Sequence, residues 1–255
     1  MRSLIITPPD EKRLAEALAS GADGLIVDLA LSPPGDRAAA RARAVRFLRE
    51  ARGGGLELLV GVNALDSGET DADLDAVMGA APDAVVLPRS FGAASVQQLS
   101  AKLAVREADF ALPDGATRII AVADTARGLM SMASYRASSG RLVGIAWSVT
   151  SLRADIGADT DREPSGAYAG AFRLARDLTL LAAAAAGVSA IDAAFADVAD
   201  AEGLRADALA ARRDGFSAKL AIDPAQPRII NAAFAATPAS SPRNIVFRRI
   251  EHTNP

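Results

Sequence analysis

Cysteine is absent from this 255-residue chain, and histidine occurs once, as His252 near the C-terminus. Without cysteine the protein forms no disulfide, binds no zinc through thiolates and uses no cysteine nucleophile. A Ser-His-Asp triad would have to bring His252 in from the end of the chain, so we expect this histidine to be solvated rather than catalytic. These absences leave carboxylates, arginines and hydroxyls as the main groups available for chemistry.

Long apolar runs and charge of one sign are also missing. No stretch approaches the roughly 20 apolar residues that cross a bilayer, and the apolar start of the chain is too short for a signal peptide. The net charge is −3, with acidic and basic residues interspersed along the chain. We therefore expect a soluble, cytoplasmic protein that binds neither nucleic acid nor a membrane surface.

Hydrophobic residues make up 50% of the chain, enough for a large core without cross-links. The most informative segment is 118–128, where an apolar run ends in Asp124 and Thr-Ala-Arg-Gly then starts a helix. Barrels of alternating strands and helices place catalytic acids in this way, at the C-terminal tip of a strand. Other apolar runs end in a polar residue at Asp28, Asn63, Arg89, Asp192 and Asp223. In a parallel sheet these side chains would surround one mouth.

Strand-like and helix-like segments alternate along the chain. The predicted strands span residues 3–7, 24–28, 57–62, 83–88, 118–123, 142–147, 188–191 and 217–222. The predicted helices span residues 10–20, 36–52, 70–79, 92–107, 125–138, 166–186, 201–213 and 225–234. Apolar, non-alternating strands indicate a parallel sheet covered on both faces. This pattern favours a closed TIM (β/α)8 barrel over an open doubly wound sheet, whose first loop is normally rich in glycine.

Local signals add detail to this prediction. Asp10 is predicted to cap the first helix, and Thr70 or Asp71 the third. Residues 148–166 form a long polar segment that is either a loop of the functional site or a mobile surface loop. We expect residues 1–235 to form the barrel and residues 236–255 a C-terminal tail. The tail holds one apolar stretch, residues 245–250, that we expect at a subunit interface.

Several motifs, in order and at consistent spacing, resemble one family. They are Arg2-Ser3, Gly21-Ala22-Asp23, Asp28-Leu29, Asp36-Arg37 with Arg41, Val62-Asn63, Leu87-Pro88-Arg89, Ala123-Asp124-Thr125-Ala126-Arg127-Gly128 and Gly215-Phe216 through Lys219, Ile222-Asp223-Pro224 and Gln226. Together they resemble the citrate lyase beta-subunit-like branch of the HpcH/HpaI aldolase family, over most of the chain.

The resemblance implies a barrel of the phosphoenolpyruvate/pyruvate-domain type that assembles into a homotrimer or hexamer. It implies a magnesium-dependent carbon–carbon lyase or hydrolase that acts on a small carboxylic acid or an acyl-CoA. The family's magnesium lies between two acids, at the positions of Asp124 and Ser151. On the same basis we assign Arg2, Asn63 and Arg127 to substrate binding, and Asp28, Arg89 and Asp223 to catalysis.

This chain departs from the family pattern at the positions that bind the metal and the substrate. Asp124 stands for a glutamate, Ser151 for an aspartate, Asp223 for a histidine, and Gly61 for the arginine that holds the substrate carboxylate. Ala30 and Leu31 also replace an acidic pair. Since Mg²⁺ prefers anionic oxygen ligands, replacing one carboxylate by a hydroxyl should weaken the site. Arg89 could replace the missing clamp, and Asp155, Asp159 or Asp161 could supply the missing carboxylate.

Three functions are compatible with these departures. The first is an active lyase with a rebuilt or weakened magnesium site, in which Asp28, Asp192 and Asp223 join Asp124. The second is a catalytically degraded member that binds a ligand or a partner subunit. The third is an unrelated reaction at the same mouth. Some residues also have structural alternatives: Asp124 as a helix cap, Arg127 as an ion-pair partner, and Lys219 as a buried structural lysine rather than a Schiff-base former.

Overall fold

Eight parallel strands close into a barrel, in which each strand pairs with the next and β8 pairs with β1. The computed structural model describes residues 1–235. The strands are β1 (Ser3–Thr7), β2 (Gly24–Asp28), β3 (Glu57–Gly61), β4 (Ala84–Leu87), β5 (Arg118–Val122), β6 (Leu142–Ala146), β7 (Ser189–Asp192) and β8 (Ala218–Ala221). The predicted barrel and its eight strands are confirmed, and the open sheet is excluded.

Helices cover the outside of the barrel. They are α1 (Glu11–Leu18), α2 (Arg37–Ala51), α3 (Thr70–Val77), α4 (Ala93–Asp109), α5 (Ala126–Met130), α6 (Val149–Ile156), α7 (Gly170–Ala186), α8 (Ala201–Asp214) and α9 (Gln226–Ala235). Short 3₁₀ turns lie at Leu29–Leu31, Pro34–Asp36, Met78–Ala80 and Met132–Ala137. None of the helices in residues 1–235 has the length and apolar character needed to cross a bilayer.

The strands read as continuous apolar runs because both of their faces are buried. Side chains such as Ile5, Val27 and Val85 pack outward under the helices in the large core cluster. Alternate residues of the same strands, such as Leu4 and Ile120, fill the inside of the barrel in a second cluster. The inside of the barrel is therefore filled by side chains.

The helix boundaries follow the predicted local signals in part. As predicted, Asp10 caps α1 by accepting a hydrogen bond from the Arg13 N–H. Gly187, in the left-handed conformation, ends α7. The predicted cap of α3 is wrong, because Glu69 holds the N-cap position without a side-chain bond. The Thr70 hydroxyl instead donates to the carbonyls of Asn63 and Ala64.

The segment after β6 is the largest departure from the predicted elements. Residues 148–166 were expected to be a loop, but they contain α6, capped by the Ser148 side chain and ended by Gly157 in the left-handed conformation. Most side chains of this helix face solvent, so only a few apolar residues mark its helical spacing in the sequence. The predicted C-terminal tail and its apolar stretch lie outside the described residues.

Candidate active site

A cavity of about 990 Å³ opens at the C-terminal end of the barrel strands. Its floor is apolar and consists of inward-facing strand residues, Leu4, Ile26, Ile120 and Leu220 among them. Its rim is polar and is supplied by residues that follow the strands. An apolar floor under a few convergent polar groups is typical of a small-molecule site.

Asp124 lies on this rim, just beyond β5, and only 5% of it is exposed. Its Oδ1 accepts a hydrogen bond of 2.9 Å from the backbone N–H of Arg89. Burial raises the pKa of Asp124, although Arg89 and the Ser151 hydroxyl oppose the shift. Thr125, not Asp124, caps α5. The alternative of Asp124 as a helix cap is therefore wrong, and its carboxylate faces the cavity.

Ser151 lines the cavity beside Asp124, because α6 begins at the end of the neighbouring strand β6. Its hydroxyl also accepts a hydrogen bond of 3.2 Å from Ser148, whose side chain caps the same helix. The structure thus brings the two predicted metal-binding residues together at the ends of adjacent strands.

Asp28 lies on the rim at the end of β2 and is partly buried. Burial raises its pKa to about 6, and the nearby charge of Asp73 adds to the shift. Asp28 is the register partner of Gly61 on β3. A Cβ atom at Gly61 would lie 2.7 Å from Oδ1 of Asp28, so an arginine at position 61 requires the Asp28 carboxylate to move. The Asp28 carboxylate therefore fills the space beside position 61, where the family resemblance predicts an arginine.

An ion-paired network holds the far side of the cavity. Lys219 is fully buried, and its Nζ lies 2.9 Å from Asp192 and 2.6 Å from Asp207. Asp192 also accepts a hydrogen bond of 3.0 Å from Nε1 of Trp147. Full burial between two carboxylates confirms the structural reading of Lys219, and Asp192 is not a free metal ligand because Lys219 and Trp147 already bind it.

The segment between α6 and α7 also lines the cavity, and Arg162 and Tyr168 are its largest polar side chains there. The Arg162 guanidinium lies 4.1 Å from the ring centroid of Tyr168, and Nη2 donates to Asp207 at 3.2 Å. The Tyr168 ring packs edge-on against Trp147, with a centroid distance of 5.4 Å. Neither residue was assigned a role from the sequence. The available signal was an arginine in the polar segment 148–166 and a tyrosine two residues after its end.

Arg2 was assigned to substrate binding, but the structure does not bring it to the cavity. It precedes β1, at the opposite end of the barrel from the cavity. Its side chain forms hydrogen bonds of 2.9 and 2.8 Å with both carboxylate oxygens of Asp23. The pair fastens the start of β1 to the start of β2.

Four other predicted site residues follow strand ends but do not line the cavity. The Asn63 amide and backbone N–H both donate to Asp73, each at 2.8 Å. The guanidinium of Arg89 lies 3.8 Å from Asp66, and that of Arg127 stacks 4.4 Å from the ring centroid of Phe91. Asp223 accepts from the Ala225 N–H in the turn after β8. Each side chain therefore has a local partner outside the cavity.

The donor set for a metal is small. Within residues 1–235, no group of three or more His, Cys, Asp or Glu could hold an ion, so the larger cluster that includes Asp192 and Asp223 does not form. Asp155 accepts a hydrogen bond from the Ala126 N–H and lies outside the cavity. Asp161 lines the cavity, but its carboxylate is paired with Arg153 at 3.9 Å and with Arg162 at 3.8 Å. Asp124 and Ser151 remain as the candidate pair at adjacent strand ends. One carboxylate and one hydroxyl fit Mg²⁺ when substrate oxygens and water complete its octahedral shell.

Comparison with known proteins places this geometry in a family. The sequence model described as HpcH/HpaI aldolase/citrate lyase matches residues 2–224. Citrate lyase subunit beta from Leuconostoc mesenteroides subsp. cremoris is 30% identical over 239 residues, which cover 92% of this chain and 77% of that protein.

Two solved structures have the same fold. RipC from Yersinia pestis is 33% identical, with a TM-score of 0.75 and coverage of 94% of this chain and 96% of that one. CitE from Mycobacterium tuberculosis, in complex with magnesium, acetoacetate and coenzyme A, is 32% identical, with a TM-score of 0.78 and coverage of 92% and 81%.

Proposed function

The chain belongs to the HpcH/HpaI aldolase/citrate lyase family, and we propose that it is a carbon–carbon lyase that cleaves a small hydroxy acid or its coenzyme A ester. The observation that carries the proposal is the pair of buried-rim carboxylates, Asp28 and Asp124, on one cavity above an apolar floor. The magnesium and acetoacetate bound by the related CitE support the same substrate class.

Asp124 and Ser151 would hold Mg²⁺, since they lie together at the ends of β5 and β6. When bound there, the ion would polarise the substrate carbonyl next to the bond that breaks. Asp124 contributes the only full charge of this pair. Its Oδ1 already accepts the Arg89 N–H, which orients the carboxylate. We therefore expect the ion to bind weakly until substrate oxygens join it.

Asp28 is the proposed base of the reaction. A pKa of about 6 keeps this carboxylate mostly ionised at neutral pH and able to take up a proton. It takes the proton of the substrate hydroxyl, and a carbonyl forms at that carbon. The adjacent carbon–carbon bond breaks, and its electron pair enters the carbonyl group of the departing fragment. The proton held by Asp28 then returns to the α carbon of that fragment.

The alternative is a catalytically degraded member that binds a ligand or a partner subunit. It explains the lost metal carboxylate and the lost arginine. It does not explain why two desolvated carboxylates with raised pKa values remain at the cavity, where they cost stability. The geometry favours the lyase.

Magnesium binding and turnover test this proposal together. We expect the unaltered protein alone to bind Mg²⁺ no tighter than about millimolar. The double variant Asp124→Glu/Ser151→Asp should bind at least about tenfold tighter, because two acids on adjacent strands can flank one ion. The fluorescence of Trp147, the only tryptophan, reports binding at the cavity wall.

The control is Asp155→Asn, which removes a carboxylate outside the cavity and should leave magnesium affinity unchanged. Asp124→Asn should abolish magnesium-dependent cleavage of hydroxyacyl-CoA esters and hydroxy acids. Micromolar magnesium binding that is lost in Asp161→Asn would contradict the weak two-residue site. Absence of cleavage across such a panel, with magnesium and ligand still bound, would favour the degraded member.

We also propose a homotrimer or hexamer. Leu174 and Leu181 lie on one face of α7 and are 57% and 64% exposed in the single chain. Two large apolar side chains on one helix face are typical of a subunit contact. Light scattering at micromolar concentration should show an assembly that Leu174→Lys/Leu181→Lys dissociates. A monomer in the unaltered protein would contradict the proposal.

A further inference from the structure

Arg162 is the one basic residue among the described residues that line the cavity. We propose that Arg162, together with the Tyr168 hydroxyl, binds the substrate carboxylate, which places the anion site on the β6–β7 side of the mouth. This inference rests on the proposed lyase function and names the group that recognises its acidic substrate.

The β2–β3 side of the mouth cannot bind this carboxylate. Asp28 and Gly61 are register partners there, and the Asp28 carboxylate lies where a side chain at position 61 would pass. A ligand anion on this side would meet a like charge without a cation to offset it. In the eight-stranded order, β6 and β7 lie across the barrel from β2 and β3. Arg162 thus stands on the opposite wall of the same cavity.

The contacts of Arg162 hold its guanidinium and leave donors unused. Nη1 donates to the Gly166 carbonyl at 2.8 Å, and Nη2 donates to Asp207 at 3.2 Å. A guanidinium has about five N–H donors, so two bonds leave most of the fork for a ligand. The plane also stacks on Tyr168, which fixes its orientation. A preorganised, always charged fork is well suited to a carboxylate.

Tyr168 supplies a second donor. Its hydroxyl oxygen is buried and has no hydrogen-bond partner among the described residues. A buried hydroxyl without a partner costs free energy that a bound ligand can recover. Burial, with the charges of Asp207 and Asp192, raises the pKa of this phenol, so the proton stays on the oxygen. Tyr168 lines the cavity in contact with Arg162 and would donate to the same anion.

Acidic residues also line the β6–β8 side, but their charges are engaged. Asp207 is paired with Lys219 as well as Arg162. Asp161 lies 3.8 Å from Nε of Arg162 and 3.9 Å from Arg153, so it is shared between two arginines. Asp200 caps α8 through the Gly203 N–H, and Asp197 accepts from the Ala199 N–H. The negative charges near Arg162 are therefore shared with other donors. They neutralise its positive charge only in part, and Arg162 still attracts a further carboxylate.

Calorimetric titration with acetoacetate and with ethyl acetoacetate, both in magnesium, isolates the carboxylate. The two probes share the keto group and differ in the charged end. Arg162→Gln should weaken acetoacetate binding at least about tenfold and leave ethyl acetoacetate unchanged. Arg162→Lys should recover part of the affinity, since it keeps the charge but loses the fork. Tyr168→Phe, which preserves the stacked ring, should weaken acetoacetate binding by about threefold to tenfold.

Arg153→Gln is the matched control. Arg153 also pairs with Asp161, is half exposed and does not line the cavity, so both probes should bind this variant normally. Thermal unfolding of each variant checks the fold, and Tyr168→Phe keeps the test intact if Arg162→Gln unfolds. Equal loss of both probes in Arg162→Gln, or no loss of either, would overturn the assignment.

Coenzyme A is the third probe, because a phosphate could occupy the same donors. If Arg162→Gln weakens coenzyme A binding and not acetoacetate binding, the carboxylate assignment is wrong. The readout is binding, so the inference is separable from the lyase proposal. Arg162-dependent binding without turnover would contradict the lyase alone, and turnover with full affinity in Arg162→Gln would contradict the inference alone.

Discussion

The two ends of the barrel differ in the ion pairing and pKa shifts of their buried carboxylates. At the N-terminal end, Glu107 receives the Arg141 guanidinium and two backbone N–H groups, and together they outweigh burial and lower its pKa. Arg2 lowers the pKa of Asp23 in the same manner. At the C-terminal end, burial dominates and raises the pKa values of Asp28 and Asp124. The mouth also holds paired carboxylates, Asp192 and Asp207, but among the described residues it leaves Asp28 and Asp124 without an ion-pair partner.

Unpaired, desolvated carboxylates cost stability, so their presence at one end points to a functional site there. The same strands run from one end of the barrel to the other, so substitutions at the two ends can be compared within one fold. A perturbation at the base should change stability and spare ligand binding. A substitution at the mouth should change ligand binding and either leave the free energy of unfolding unchanged or raise it.

The largest effect is expected from breaking the base network with Arg141→Ala. Glu107 is 1% exposed in its side chain, and removing Arg141 leaves a buried charge held only by backbone N–H groups. We expect a loss of about 3–5 kcal/mol in the free energy of unfolding, measured with urea. Acetoacetate affinity of the folded fraction should not change.

The control for this variant is Lys12→Ala, which removes an exposed i, i+4 pair with a separation of 3.9 Å from Glu16. We expect less than about 1 kcal/mol from it. A small loss in Arg141→Ala, comparable to that of Lys12→Ala, would mean that the two ends do not differ as described.

The next effect is a gain of stability in Asp28→Asn. The folded pKa of about 6 lies above the ordinary value of 3.8, so the folded protein binds the proton more tightly than the unfolded chain. This contribution to the unfolding free energy falls as pH rises from about 4 to about 6 and is then constant. At pH 7 the variant should be more stable by about 2–3 kcal/mol, as measured by urea unfolding across this range.

Asp23→Asn is the counterpart at the base. Burial opposes ionisation there, but the hydrogen bonds and charge of Arg2 lower the pKa of Asp23. Its stabilising contribution is present above the unfolded value and disappears as pH falls through the lower folded pKa. This variant should therefore lose stability at pH 7. If both variants lost stability at neutral pH, the contrast between mouth and base would fail.

The smallest effect is expected from Gly61→Ala. The new Cβ would approach the Asp28 carboxylate at 2.7 Å, so that side chain must shift. We expect a loss of about 1 kcal/mol, and the loss should disappear in an Asp28→Ala background. Gly140→Ala is the control, since nothing lies within 4 Å of a Cβ there. A loss that persists without Asp28 would place the conflict elsewhere.

Much of the fold could be read from the chain, because strands buried on both faces are continuous apolar runs and the turns between them carry glycine, proline and capping residues. The helix α6 was missed, since its polar residues in a surface position resemble a loop. The Asp10 cap was predicted correctly because the capping bond joins two residues only three apart in the sequence. The cap at Thr70 was not, because that hydroxyl is used by the chain near Asn63, seven residues away.

The site was predictable only in part. Asp28, Asp124 and Ser151 are found together because strand ends in a parallel barrel share one edge. Arg2 was assigned from the family resemblance alone, although it precedes a strand and therefore lies at the other end of the barrel from Asp28 and Asp124. Arg89, Arg127 and Asp223 follow strand ends as predicted, but their side chains bind Asp66, Phe91 and a local turn instead.

The order of apolar runs, turns and strand-end acids determined the barrel and the end at which its chemistry lies, since these are local patterns repeated along the chain. Tertiary structure alone decided which charges remain free. Whether a carboxylate is paired depends on the register of neighbouring strands, as for Asp28 beside Gly61 and Asp192 beside Lys219. It also depends on a segment distant in sequence that carries Arg162 over the mouth. Such pairings join residues far apart in the chain, and no local pattern specifies them.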